Sequence, residues 1–195
     1  IYATDRTDVR DVFKQKANEE GSKTYELGKD FTAEGSIHSF DFIYKEQRLE
    51  GIALAMAGQH QVANASLAIM ASLLLQKDYP KVTPELIKDA LAHASWLGRT
   101  EFLMPNLMID GAHNNESVKV LIDLLRSEYA DKDIELLFAA IDTKPIDSML
   151  AQLESVGDLT VTSFEYPNSV KLDKYPVTYK QVSDFQTWIE EHVTA

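Results

Sequence analysis

Beyond Gly98 the chain changes rhythm, and that change limits the fold more than any other feature. Short apolar runs at Leu107 to Asp110, Ile134 to Ile141 and Leu159 to Phe164 read as strands. Between and after them lie amphipathic stretches at helical spacing, Glu116 to Tyr129 and Pro145 to Val156, and a closing helix for which Ser183 and Gln186 would form a capping box. Strand and helix in alternation call for an α/β unit with a doubly wound, mostly parallel sheet. From Phe164 to Ser183 the prolines at 167 and 176 leave a loop with room for one short strand.

The part before Gly98 is patterned differently. Asp8 to Glu20 carries Val9, Val12, Phe13 and Ala17 at helical spacing, with Gly21 as a stop. Three runs follow, Lys23 to Leu27, Ile37 to Tyr44 and Leu49 to Met56, separated by turn residues; they predict a small antiparallel meander. Gln61 to Lys77 is an apolar helix, and Thr83-Pro84-Glu85 opens another with a capping hydroxyl, a first-position proline and an acid. The boundary is expected near Leu97-Gly98, giving domains 1–97 and 98–195.

The charge balance narrows the ligands. A net charge of -12 over 195 residues leaves no cationic surplus for nucleic acid or for an anionic membrane surface. A nucleotide can still be held by a few local cations. The absence of cysteine removes thiolate chemistry and Cys-type zinc sites and is at ease in a reducing cytoplasm. The stretch Ala63 to Leu75 is too short, and too interrupted by Asn64, Ser66 and Ser72, to span a bilayer. Because the first residue is Ile1, the chain is expected to be a piece of something longer.

Four places could carry chemistry. Gly58 to Ala65 crowds polar groups at the start of an otherwise apolar helix, whose positive end suits a polar or anionic ligand; taken alone, the stretch is better accounted for by capping and a solvated first turn. Arg99 stands just after the boundary, where a guanidinium suits phosphate but a solvated charge is also ordinary. Asp110-Gly111-Ala112-His113-Asn114 follows a strand, the position where open α/β sheets present ligand-contacting groups. A turn with Asp as cap and Gly at positive φ would explain its first two residues and leave His113 and Asn114 over. The fourth is Asp142-Thr143-Lys144, after the next strand. Glycine fingerprints for dinucleotides, a phosphate loop, paired metal-binding histidines and a Gly-x-Ser-x-Gly elbow are all missing from the sequence, so no metal ligands are assigned.

Taken in order, His60-Gln61-Val62-Ala63-Asn64-Ala65, Gly98-Arg99-Thr100-Glu101 and Asp110-Gly111-Ala112-His113-Asn114 resemble the folylpolyglutamate synthase and dihydrofolate synthase family, itself related to the Mur ligases. The resemblance implies that residues to about Ser95 are the tail of a central ATPase domain, and that Gly98 onward is a Rossmann-like C-terminal domain. It further implies an ATP-dependent ligase that adds L-glutamate to folate or dihydropteroate through an acyl phosphate. Arg99 would hold the γ-phosphate and Asp110 the ribose hydroxyls. His113 would lie close to the nucleotide, and Asn64 would contact the adenine edge. Arg99 and His113 would thus serve catalysis, and Asn64, Arg99, Asp110 and His113 ATP binding. The phosphate loop and the Mg2+ ligands would lie before Ile1, so the chain alone is expected to be inactive.

Three departures from the family pattern stand out. Asn115 replaces a proline, the Asp142-Thr143-Lys144 loop only approximates a Lys-Asp signature, and Asn168 stands where arginine is common. The last two bear on glutamate positioning. A Mur-type amino-acid ligase and a non-catalytic α/β binding module remain the alternatives.

Overall fold

The computed structural model describes residues 1–193 and divides into two compact units, Ile1–Trp96 and Leu97–Ala195. The first unit opens with α1 (Thr7–Glu19). A three-stranded antiparallel meander follows, made of β1 (Thr32–Ser36), β2 (Ser39–Tyr44) and β3 (Gln47–Ile52) in that spatial order. Two helices close the unit, α2 (His60–Leu75) and α3 (Pro84–His93). Alternation puts Phe40 and Phe42 of β2 on one face, where they are fully buried with Phe31, Ile52, Ile69 and Met70. On α2 the buried positions Val62, Ala65, Ser66, Ile69, Met70 and Leu73 form one stripe at helical spacing. Ser66 is accommodated there because its hydroxyl donates to the Val62 carbonyl, 2.6 Å away. Thr83 caps α3 by accepting the Leu86 amide, as its hydroxyl before Pro84 predicts.

The meander differs from the sequence reading in its first strand, while the runs at Ile37 and Leu49 become β2 and β3 with shifted ends. Lys23 to Leu27 forms only isolated bridges, Tyr2 with Glu26 and Leu27 with Phe31, while Thr32–Ser36 supplies the first true strand. Gly35 is a turn residue by type, yet it ends no strand here. It lies inside the strand at φ 130°, where a Cβ would sit 2.4 Å from the Ser39 carbonyl oxygen. Glycine here permits close strand approach rather than ending a strand.

The second unit is α/β. A two-stranded antiparallel hairpin, β4 (Glu101–Met104) and β5 (Leu107–Ile109), precedes α4 (Asn115–Glu128). The parallel sheet is then built from β6 (Glu135–Phe138), β7 (Asp158–Val161) and β8 (Lys180–Gln181), in that order. Helix α5 (Ile146–Leu153) connects β6 to β7, and α6 (Phe185–His192) ends the described chain. Its core joins Val118 and Ile122 of α4 to Met149, Leu150 and Leu153 of α5 and to Leu159 and Val161 of β7. Sequence alternation thus locates the parallel sheet, with β8 as the short strand in the proline-containing stretch. It does not reveal that β5 pairs with β4 rather than with that sheet. The cap of α6 is Asp184, not Ser183: its Oδ1 accepts the amides of Gln186 and Thr187 at 3.0 Å. The Thr187 amide leads the bonds that hold this carboxyl below its ordinary range. No described helix is long and apolar enough to cross a membrane.

Candidate functional site

The hairpin explains why residues far apart in the sequence meet. Glu101 pairs with Ile109 across β4 and β5, so the loop entering β4 lies beside the turn leaving β5. Two contacts fasten loop to turn. The Gly111 amide donates to the Gly98 carbonyl at 2.7 Å, and the Thr100 amide donates to Asp110 Oδ2 at 2.8 Å. Within the turn, Asp110 Oδ1 accepts the Ala112 amide at 2.8 Å. Both Asp110 oxygens are therefore engaged, yet a carboxylate has about four acceptor positions, so lone pairs remain for a ligand hydroxyl. Gly111 does not take a positive φ. The left-handed residues are Gly98 at 68° and Thr100 at 45°, which flank Arg99.

Arg99 is exposed and makes no hydrogen bond or ion pair among the described residues. His113 is also exposed; its Nδ1 lies 2.8 Å from the Gly111 carbonyl oxygen, which can only accept. Nδ1 thus carries the proton, and in the neutral ring Nε2 is the open acceptor. Asn114 has a structural duty: its side chain accepts the Ser117 amide at 2.8 Å and forms a capping box that starts α4. The structure thus brings Arg99, Asp110 and His113 onto one stitched pair of loops.

Asn64 belongs to the other unit. It is exposed on the first turns of α2, donating to Gln61 Oε1 at 3.0 Å. That helix begins without a side-chain cap, because Gln59 has helical dihedrals and donates instead to the Gly35 carbonyl. Backbone carbonyls take up part of its first turn instead: the Gln61 amide donates to Gly58 at 2.9 Å and the Val62 amide to Gln59 at 3.1 Å. Gly58, at φ 99°, leaves room for the His60 ring: a Cβ there would lie 2.6 Å from it.

The fourth place is tied to a second loop. The Asp142 amide donates to the Asn168 carbonyl at 2.9 Å, and Ile141 bridges Ser169. A cleft of about 710 Å3 is lined there by Asp142, Lys144, Ser148, Ser169, Lys171 and Lys174. Lys171 and Lys174 escape a reading of the sequence because Lys171 precedes, and Lys174 ends, the short helical turn Leu172–Lys174, which no apolar periodicity announces. Tyr175 anchors this loop: its buried hydroxyl oxygen accepts the Ala140 amide at 3.1 Å, and burial pushes its pKa up. A separate, mainly apolar cavity of about 610 Å3 runs along β5 and β6 and reaches Asp110. Among the described residues no group of three or more His, Asp or Glu side chains could hold a metal.

Comparison with known proteins agrees with this architecture, although no family model matches the chain. It is 31% identical over 157 residues to a dihydrofolate synthase/folylpolyglutamate synthase of Bacillus subtilis, a match covering 78% of this chain and 36% of that protein. It is 29% identical over 146 residues to a UDP-N-acetylmuramate–L-alanine ligase of Hydrogenobaculum, covering 71% of this chain and 32% of that one. A Mycobacterium tuberculosis folylpolyglutamate synthase, crystallised with ADP and AMPPCP, superposes with a TM-score of 0.83 at 19% identity over 95% of this chain and 45% of its own. The chain thus spans about a third of the length of the curated relatives it matches. By sequence and by fold it is a relative of the folylpolyglutamate and dihydrofolate synthases within the Mur ligase superfamily, corresponding to the C-terminal portion of those enzymes.

Proposed function

We propose that the chain supplies the nucleotide-capping and acceptor-binding part of a cytoplasmic, ATP-dependent ligase that adds L-glutamate to folate or dihydropteroate. Residues 1–97 form the tail of the ATPase domain in this reading, and residues 98–195 the C-terminal ligase domain. One observation carries it: an exposed, unpaired Arg99 is mounted on a loop fastened to the Asp110 turn. A guanidinium without a partner, on a backbone that cannot wander, is suited to meet a phosphoryl group.

The chemistry proceeds in two balanced steps. The substrate carboxylate attacks the γ-phosphorus of ATP, giving an acyl phosphate and ADP; the glutamate amine then attacks the acyl carbon, and phosphate departs. Arg99 stabilises charge on the transferring group, Asp110 accepts from the ribose hydroxyls, and the open Nε2 of His113 lies toward the nucleotide. Asn64 reads the adenine edge. Lys144, Lys171 and Lys174 line the cleft that receives the carboxylates of glutamate. The sequence has no Gly-x-x-x-x-Gly-Lys-Ser/Thr loop to cradle a triphosphate, and among the described residues no group of three or more His, Asp or Glu side chains could hold a metal. Both belong, in this proposal, to polypeptide N-terminal to this chain, and the 195 residues alone turn over no ATP.

The test is Arg99→Ala in the longer ligase that contains this chain. The expected result is a loss of about 10³-fold in kcat with a much smaller change in ATP KM. An unchanged kcat would remove Arg99 from the reaction. The similarity to UDP-N-acetylmuramate–L-alanine ligases supports a second reading, a Mur-type amino-acid ligase. Pteroate-type and UDP-sugar substrates, assayed in parallel, separate the two.

A further inference from the structure

Arg99 sits between two residues in left-handed backbone, Gly98 and Thr100. Glycine adopts that region freely, but for a β-branched threonine at φ 45° it is strained, and surrounding contacts must hold it there. Those contacts come from the Asp110 turn and from one side chain of the loop itself. Glu101 Oε2 accepts the Gly98 amide at 2.7 Å, closing the four-residue segment on itself. Gly98 in turn offers its carbonyl to the Gly111 amide, in a contact so close that a Cβ on Gly111 would lie 3.3 Å from that oxygen.

Glu101 is two residues from Arg99, yet the two make no ion pair. One oxygen of its carboxylate, Oε2, accepts a backbone amide instead. We propose that Glu101 is a positioning residue: by holding the Gly98 amide it sets the loop that presents Arg99, and it keeps its own charge off the guanidinium so that the guanidinium stays available to an anion. Its role rests on the phosphate-binding reading of Arg99, but its geometric half can be tested without any nucleotide.

The discriminating variants separate reach from charge. Glu101→Gln keeps an acceptor oxygen at the same reach and loses the charge. Glu101→Asp keeps the charge and loses the reach, and Glu101→Ala loses both. In the 195-residue chain, amide hydrogen exchange at Gly98 and Gly111 is expected to speed up about tenfold or more in the Asp and Ala variants and to change less than about threefold in Gln. Equal protection in all three would overturn the positioning role, whatever Arg99 does. In the longer ligase, Asp and Ala are expected to lose about 10–100-fold in kcat with ATP KM nearly unchanged, and Gln to retain most activity. Adding Arg99→Ala to Glu101→Ala should then cost no more than Arg99→Ala alone, because the acid acts only through the arginine. Additive losses would overturn the proposal. If Arg99→Ala itself proves silent while the exchange pattern holds, the catalytic reading has failed and the loop geometry has not. Should Glu101→Ala fail to fold, the Asp and Gln pair decides alone.

Discussion

The two units spend their polar groups in opposite ways. In the first, Glu26 is buried, and its carboxylate is consumed by the Tyr2 hydroxyl at 3.0 Å and by the Arg10 guanidinium. In the second, the comparable charged groups stay at strand ends: Arg99 free, Asp110 half-engaged, and lysines around an open cleft. The first unit packs six large side chains at no more than 1% exposure around its meander. The second leaves an apolar cavity of about 610 Å3 beside β5 and exposes Phe102, Leu103 and Met104 on its hairpin. The difference teaches where tolerance lies. A group already neutralised inside the protein has nothing left for a ligand, whereas a group mounted on loops at strand ends can serve one.

The largest expected effect tests the packing half of that contrast. Phe42→Ala removes a fully buried ring between Phe31, 5.6 Å away by ring centroids, and its Leu49 partner on β3. It should destabilise by about 3–5 kcal/mol. Leu107→Ala, on a strand that already borders a cavity, should cost less than half as much, because fewer packed neighbours lose contacts. Urea unfolding of both variants measures the difference. Equal costs would mean that the cavity is closed in solution and that the two units are packed alike.

A second contrast appears in acid. Burial works to raise the Glu26 pKa, but the bonds from Arg10 and Tyr2 prevail and hold it below the ordinary value of 4.5. A carboxyl with a lowered folded-state pKa contributes stability that is complete above its unfolded value. That contribution is lost as pH falls through the folded one. Unfolding midpoints between pH 6 and pH 2 should therefore fall more steeply for the native chain than for Glu26→Gln, with the divergence beginning below about pH 4.5. Parallel curves would show that the cluster does not couple to folding.

How far the sequence is legible divides along the same line. Helix starts and the parallel sheet can be read because they repeat a local rule. Thr83-Pro84-Glu85 caps α3, and the apolar runs at Ile134 and Leu159 become β6 and β7, trimmed at their ends. Strand β4 escapes because Phe102, Leu103 and Met104 form an unalternated apolar run next to a boundary. The clue is Pro105-Asn106, a turn pair between two apolar runs, which is a hairpin signal. Residue types single out Arg99, Asp110 and His113 in the second unit and Asn64 in the first, but their roles within the fold cannot be read from the sequence. Only the fold shows that Asn114 is spent on capping α4 and that the left-handed residues are Gly98 and Thr100 rather than Gly111. Those are consequences of which strand pairs with which, and pairing partners are not written locally.

The smallest expected effect bears on that same threonine and on whether a β-branched residue in left-handed backbone stores strain; the first unit's left-handed non-glycine residue, Lys45 at φ 53°, is unbranched. Thr100 carries two burdens: a φ of 45° and a buried Oγ1 with no hydrogen-bond partner. Thr100→Gly removes both, at the cost of a more flexible unfolded chain worth about 0.5–1 kcal/mol. Relief of about 1–3 kcal/mol of backbone strain should outweigh that, leaving a net gain near 1 kcal/mol. Thr100→Val separates the two burdens, since it keeps the strained β-branched backbone and deletes only the hydroxyl. If Gly stabilises and Val does not, the strain resides in the backbone that presents Arg99, and the loop is held in place by Glu101 and Asp110 against its own preference. If Val stabilises as much as Gly, the orphaned hydroxyl was the burden and the left-handed turn costs little. A loss of stability in both variants would mean that the Thr100 hydroxyl is bonded in solution, and the reading of a strained Thr100 would fall.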